Sequence, residues 1–205
     1  MIILRKSKKS VVVLLVLFSF LQGHAQREVR TIMEDRSPVF TINSNLLYDV
    51  TTSMNIGMEF KVAKRLTLKL PVTYNPWTFA DNKKFKFLLV QPELRWWLCE
   101  PFAGHFFGLH GHYALFNVGG IGPENITGNI FNHRYEGDLY GAGISYGYQF
   151  YLAPRWNLEL NIGAGWAHIT YDRYPCEKCA SVELSGTKDY FGPTQAGITL
   201  IYIIK

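Results

Sequence analysis

Four groups of side chains in this 205-residue chain have the types and spacing to do chemistry. Ser145 stands in Gly143-Ile144-Ser145-Tyr146-Gly147, which fits the Gly-x-Ser-x-Gly pattern of a hydrolase nucleophile elbow. His110 and His112 are two residues apart, and together with His105, His133 or His168 they could contribute ligands to a metal. Cys176 and Cys179 have the spacing of a redox pair, of half a zinc site, or of a short loop disulfide. Glu59, Lys61, Lys69, Glu93, Arg95 and Glu159 interrupt stretches that are otherwise apolar at every second position.

Each group is constrained by the element that must carry it. A nucleophile elbow needs a strand, a sharp turn and a helix, whereas Ser145 sits inside an alternating stretch among glycines, so no catalytic serine is expected. Two histidines at i and i+2 share one strand face, but no carboxylate signature completes a ligand set, so hydrogen-bonded histidines are expected and no metal. The cysteine pair lacks the strand-helix context of a thioredoxin and a second cysteine pair. A loop disulfide or free thiols at Cys176 and Cys179 is therefore the expectation, with Cys99 left unpaired near a turn. No cofactor is implied. The six charged residues fall on the polar face of their strands, where they must pair, because an isolated buried charge costs several kcal/mol.

The elements follow from hydrophobic period. In Met54 to Val62 every second residue is large and apolar (Met54, Ile56, Met58, Phe60, Val62), with Asn55, Gly57, Glu59 and Lys61 between them. A period of two is a strand with one apolar and one polar face. The same alternation predicts strands over about Val39–Val50, Leu66–Tyr74, Phe85–Leu98, His105–Phe116, Leu139–Tyr151, Trp156–Tyr171 and Tyr190–Ile203, eight in all. Local irregularity is expected at Pro71, which has no N–H for the ladder. Asn75 to Lys84, Val118 to Asp138 and the stretch from Tyr171 to Asp189 carry turn residues and read as loops of about ten to twenty residues. The connections at residues 63–65, 99–104 and 152–155 are short. The first connection, residues 51–53, is also short and breaks that alternation of long and short.

The N-terminus points to the compartment. Arg5, Lys6, Lys8 and Lys9 precede an apolar run from Val11 to Leu21 and a Gly23-His24-Ala25 cleavage pattern, which reads as a secretory signal peptide over residues 1–25. The run is too short for a spanning helix, which needs roughly 20 apolar residues. A polar leader, residues 26–38, precedes the barrel domain, residues 39–205. The formal net charge is +5. Removing the four bases of the signal brings the 21 basic residues to 17 against 16 acidic, a near-neutral balance that gives no nucleic-acid footprint.

Eight alternating strands fit two barrels, one soluble with apolar residues inward, and one spanning a membrane with apolar residues outward. Long loops at one end and tight turns at the other, aromatics near strand ends, and a polar face of Gly, Ser, Thr, Asn and Gln with few charges all favour the second. The expected fold is an all-β, eight-stranded antiparallel up-and-down transmembrane β-barrel in the outer membrane of a Gram-negative bacterium. The expected role is structural, surface-interacting or adhesion-related, without catalysis. The alternatives are a barrel enzyme modifying lipid or lipopolysaccharide, and a secreted lipocalin-like barrel binding an apolar ligand.

Several segments carry a resemblance: Asn45-Leu46-Leu47-Tyr48-Asp49, the Glu59 strand, Trp156 to Trp166 with Tyr171-Asp172-Arg173, the Cys-Glu-Lys-Cys loop, and Phe191-Gly192-Pro193-Thr194 through Gly197 to Leu200. Together they resemble a family of uncharacterised outer-membrane β-barrel proteins of Gram-negative anaerobes, known only as a domain of unknown function. The resemblance covers about Phe40 to the C-terminus. It implies an OmpA-like eight-stranded barrel without a peptidoglycan-binding domain, occasional association with fimbrial gene clusters, and no catalytic residues. Its implied partners are outer-membrane lipid and lipopolysaccharide, the barrel-assembly machinery, and surface or fimbrial partners met by the long loops. One departure is the last residues, Ile203-Ile204-Lys205, where such barrels often finish on an aromatic.

Overall fold

A computed structural model describes residues 38–78, 83–120, 133–175 and 181–204. The stretch expected to be a signal peptide, most of the expected leader, and Cys176 and Cys179 lie outside the described residues. Nine strands and one short helix follow in order: β1 Phe40–Asn45, α1 Leu46–Val50, β2 Met54–Ala63, β3 Leu66–Thr78, β4 Lys84–Val90, β5 Glu93–Trp97, β6 Gly104–Gly119, β7 His133–Ala153, β8 Trp156–Pro175 and β9 Leu184–Ile204.

These nine strands make eight staves, because β4 and β5 are two halves of one. Both pair antiparallel with β3 on one side and with β6 on the other. The interruption falls at Gln91-Pro92, where proline removes a ladder donor. Pairing nevertheless resumes around it, with Gln91 N–H donating to Pro71 O at 3.2 Å and Gly111 N–H donating to Pro92 O at 3.0 Å. The irregularity expected at Pro71 thus appears opposite it, while β3 runs through Pro71 unbroken. Every stave pairs antiparallel with its sequence neighbours, and β1 closes the cylinder by pairing with β9, Phe40 opposite Ile204 and Asn45 opposite Thr199. A closed cylinder has no unpaired edge.

The first strand ends earlier than its alternation suggests. Asn45 caps α1 by accepting the Leu47 N–H at 3.1 Å, so Leu46 to Val50 turn helical rather than extend. The adjacent Leu46 and Leu47 already break the period of two. Residues 46–53 thus join β1 to β2 at the end of the cylinder where β3, β6 and β8 finish. Residues 64–65, 98–103 and 154–155 turn the chain at the other end, and the first connection is longer than each of these.

The long loops expected from composition are partly strand. Much of 118–138 and 171–189 is strand, since β7, β8 and β9 run for 21, 20 and 21 residues. Glycines that read as loop signals sit in the ladder, where Gly137 lies against the Thr170 and Tyr171 backbone and Gly119 against Arg134. Two strands can approach that closely because no Cβ stands between them. The β7–β9 side therefore stands well above the β1–β2 side, whose strands have 6 and 10 residues.

Orientation is the same around the cylinder. Ile56, Phe60 and Leu160 point outward and exposed, with Leu68 and Leu200 outward and half-buried. Ile144 is 70% exposed, whereas Glu59, Arg95 and Glu159 are 0% exposed in the interior. The axis is thus the polar side and the circumference the apolar side. Lumen glycines make this packing fit. A Cβ at Gly147 would run into the Phe106 ring, so Gly147→Val is expected to destabilise the barrel by about 1–3 kcal/mol, read as a lower urea midpoint.

Candidate functional site

The lumen is the only place where charged side chains from distant staves meet among the described residues that are fully buried. Strand parity puts Glu59 (β2), Lys69 (β3), Glu93 and Arg95 (β5) and Glu159 (β8) on the inner face, and the register brings them to one level. Arg95 is the hub. Its Nη1 lies 2.7 Å from Glu159 Oε2 and 3.1 Å from Glu59 Oε2, its Nη2 2.8 Å from both Glu159 Oε1 and Glu93 Oε2, and its Nε donates to Glu93 Oε2 at 2.9 Å. Lys69 Nζ adds a bond of 3.0 Å to Glu159 Oε1, and Thr67 Oγ1 donates to Glu59 Oε1 at 2.5 Å. Planar guanidinium geometry is what lets one residue serve three carboxylates.

Five of the six charged residues singled out by sequence converge in this lattice. Lys61 does not, because it lies nearer the short-turn end and half-exposed, with no salt bridge among the described residues.

Below Arg95 the lumen is filled by aromatics. Trp97, Phe102 and Phe106 are all 0% exposed, with Trp97 centroids 4.9 Å from Phe106 and 6.1 Å from Phe102. The Arg95 guanidinium rests 4.2 Å from the Phe106 centroid. Trp97 Nε1 donates to Thr67 Oγ1 at 2.8 Å, and Asn157 Nδ2 donates to Phe102 O at 3.0 Å, so the plug is tied to the wall. Parity placed Trp97 inward beside Arg95. Phe102 lies in a turn at φ +66, and no period could have found it. Above Lys69 the lumen opens into a cleft lined by Asn43, Asn55, Thr73, Gln91, Asn161 and Gln195.

The histidines divide among separate places. His110 and His112 face inward with centroids 5.7 Å apart, and His110 Nε2 is 2.9 Å from Thr194 Oγ1. His105 Nδ1 meets Tyr146 Oη at 2.7 Å, His168 Nδ1 meets Asp189 Oδ1 at 2.9 Å, and His133 Nε2 meets Glu183 Oε2 at 3.4 Å. Among the described residues, no group of three or more His, Cys, Asp or Glu side chains converges as metal ligands.

Ser145 donates to Glu93 Oε1, the kind of serine-carboxylate contact a barrel enzyme would require. That carboxylate is already held by Arg95, Ser145 is 5% exposed, and His110 is engaged with Thr194 instead. The contact stitches β7 to the lattice. Cys99 is an exposed free thiol in the 98–103 turn.

No curated protein and no solved structure matches the chain. The family model described as "Protein of unknown function (DUF3575)" matches residues 11–204, nearly the whole length, and the chain belongs to that family.

Proposed function

We propose that the protein is a small outer-membrane barrel of a Gram-negative envelope, with a sealed lumen and a structural or surface-interacting role in place of catalysis. The observation that supports this best is the belt of outward apolar residues on a closed cylinder. Val62, Met58, Ile56, Leu70, Leu109, Ile144, Ile162 and Ile198 are all exposed, and between Phe150 and Tyr140 the outward face of β7 carries no charge. About ten tilted residues cross roughly 25 Å of hydrocarbon, and β7 from Phe150 to Tyr140 has that length. Such a surface in water would be an aggregation liability, since soluble proteins keep exposed apolar patches small. A lipocalin-like carrier needs the opposite orientation, with apolar residues lining the cavity.

Aromatic residues mark both edges of the belt. Trp156 and Tyr202 meet near the short-turn end, with ring centroids 5.0 Å apart, and Tyr140, Trp166 and Tyr113 lie near the other. The short-turn end then faces the periplasm and the tall β7–β9 side projects outward, where surface partners would meet it. The lattice around Arg95 and the Trp97 plug seal the lumen.

Fractionation and gel mobility test the reading. The protein is expected in the detergent-requiring outer-membrane fraction, migrating differently before and after boiling, and recovery as a detergent-free soluble protein would remove it. In planar bilayers the pure protein is expected to hold a closed baseline. A steady conductance in the unmodified protein would remove the sealed lumen.

A further inference from the structure

We propose that the outward face of β4, β6 and β7, just above the apolar belt, binds the phosphate of an anionic lipid headgroup through Lys84, Lys86 and Arg134. This rests on the membrane-barrel reading above. The register builds the surface row by row. Val90, Tyr113 and Tyr140 stand opposite one another as the aromatic edge of the belt. Two residues up the strands come Leu88, Leu115 and Asp138, then Lys86, Asn117 and Glu136, then Lys84, Gly119 and Arg134. Each step is roughly 7 Å along a strand, so the three cations sit one to two steps beyond the last apolar row, at the level where headgroups replace hydrocarbon.

Glu136 Oε2 is 3.8 Å from Arg134 Nη2, and Asp138, one row below, and Asp172, opposite Glu136, share this outward face, the latter with its Oδ1 accepting from Ser185. Lost hydration, then the charges of Arg134 and Lys86, hold the Lys84 ammonium below its ordinary range, with Glu136 opposing. Arg134 is pre-set for an oxyanion. Its guanidinium lies 4.4 Å from the Tyr174 centroid, and its buried Nε has no hydrogen-bond partner. Between Lys84 and Arg134 the row holds only Gly119, and the Arg134 stem lies so close over it that a Cβ there would meet Arg134 Cα at 2.6 Å and Cβ at 2.8 Å. A guanidinium and two ammonium groups in adjacent rows of one sheet face suit a phosphate. The position directly over Leu88 and Leu115 suits one carried on acyl chains.

The test is titration of the detergent-solubilised, folded protein with diphosphoryl lipid A, its dephosphorylated counterpart and inorganic phosphate, followed by native mass spectrometry. The K84Q/K86Q/R134Q variant is expected to bind diphosphoryl lipid A at least ten-fold more weakly. K64Q/R65Q, on the opposite rim, should bind as the parent does. Dephosphorylated lipid should not distinguish parent from triple variant, and inorganic phosphate should not compete below millimolar concentration. Equal binding by the triple variant, or equal binding of dephosphorylated lipid, overturns the proposal. Competition by micromolar phosphate overturns the lipid as its source. Both variants must show the boiling-dependent gel shift. A parent without that shift would remove the membrane barrel itself, before any lipid is added.

Discussion

Arg95→Met is expected to cost about 3–5 kcal/mol of folding stability, the largest loss from any single lumen substitution. Methionine approximates the length of the arginine stem but leaves Glu59, Glu93 and Glu159 facing one another with Lys69 as the sole remaining cation of the lattice. All three carboxylates are fully buried, so water cannot take the place of the guanidinium. The cost comes mainly from stranded charge, because a buried pair often breaks even against hydrophobic groups of similar shape. Glu159→Gln in the Arg95→Met background should therefore recover part of the loss, whereas two independent defects would add. Urea unfolding in lipid vesicles measures both. An Arg95→Met variant within about 1 kcal/mol of the parent would mean a wet lumen, where ion pairs are screened and weak.

Ile144→Lys is expected to destabilise the inserted barrel by about 2–4 kcal/mol. Ile144 lies midway between Phe150 and Tyr140 on the outward face, 70% exposed, and the chain's own packing gives no reason for it to resist substitution. A surface change of this kind on a soluble protein usually falls within about 0.5 kcal/mol. The penalty would come from hydrocarbon alone, which makes it a direct reading of the surroundings. Asp138→Lys, one row above Tyr140 at the edge of the belt, serves as the matched control and should cost about 0–1 kcal/mol. Equal stability of the two variants, with the parent folding in plain buffer, would move the barrel out of the membrane.

Legibility in the sequence followed parity. Inward and outward sets on β2, β3, β6, β7 and β8 could be read from a period of two, and parity carries through Pro92, where Gln91, Glu93 and Arg95 keep one face. The same rule put His110 and His112 inside. It failed where local hydrogen bonds or close approach decided the backbone. Asn45 caps a helix that hydrophobic spacing alone reads as strand, and Gly119, Gly137 and Gly186 extend hairpins that composition reads as loop. Residue types are ambiguous there because glycine permits both a turn and a tight ladder.

What the sequence by itself determined is the set of faces: which side chains look to the axis and which look away, since successive side chains on a strand must alternate. Only the tertiary structure decided which inward residues meet. Arg95 and Glu159 are 64 positions apart on staves that are not neighbours, and their 2.7 Å contact follows from closure of β1 on β9 and the stagger of the ladder between them. Alternation is a property of one strand, whereas register and closure are properties of all eight staves together, so the charge lattice and the Trp97 plug appear only when the cylinder is complete.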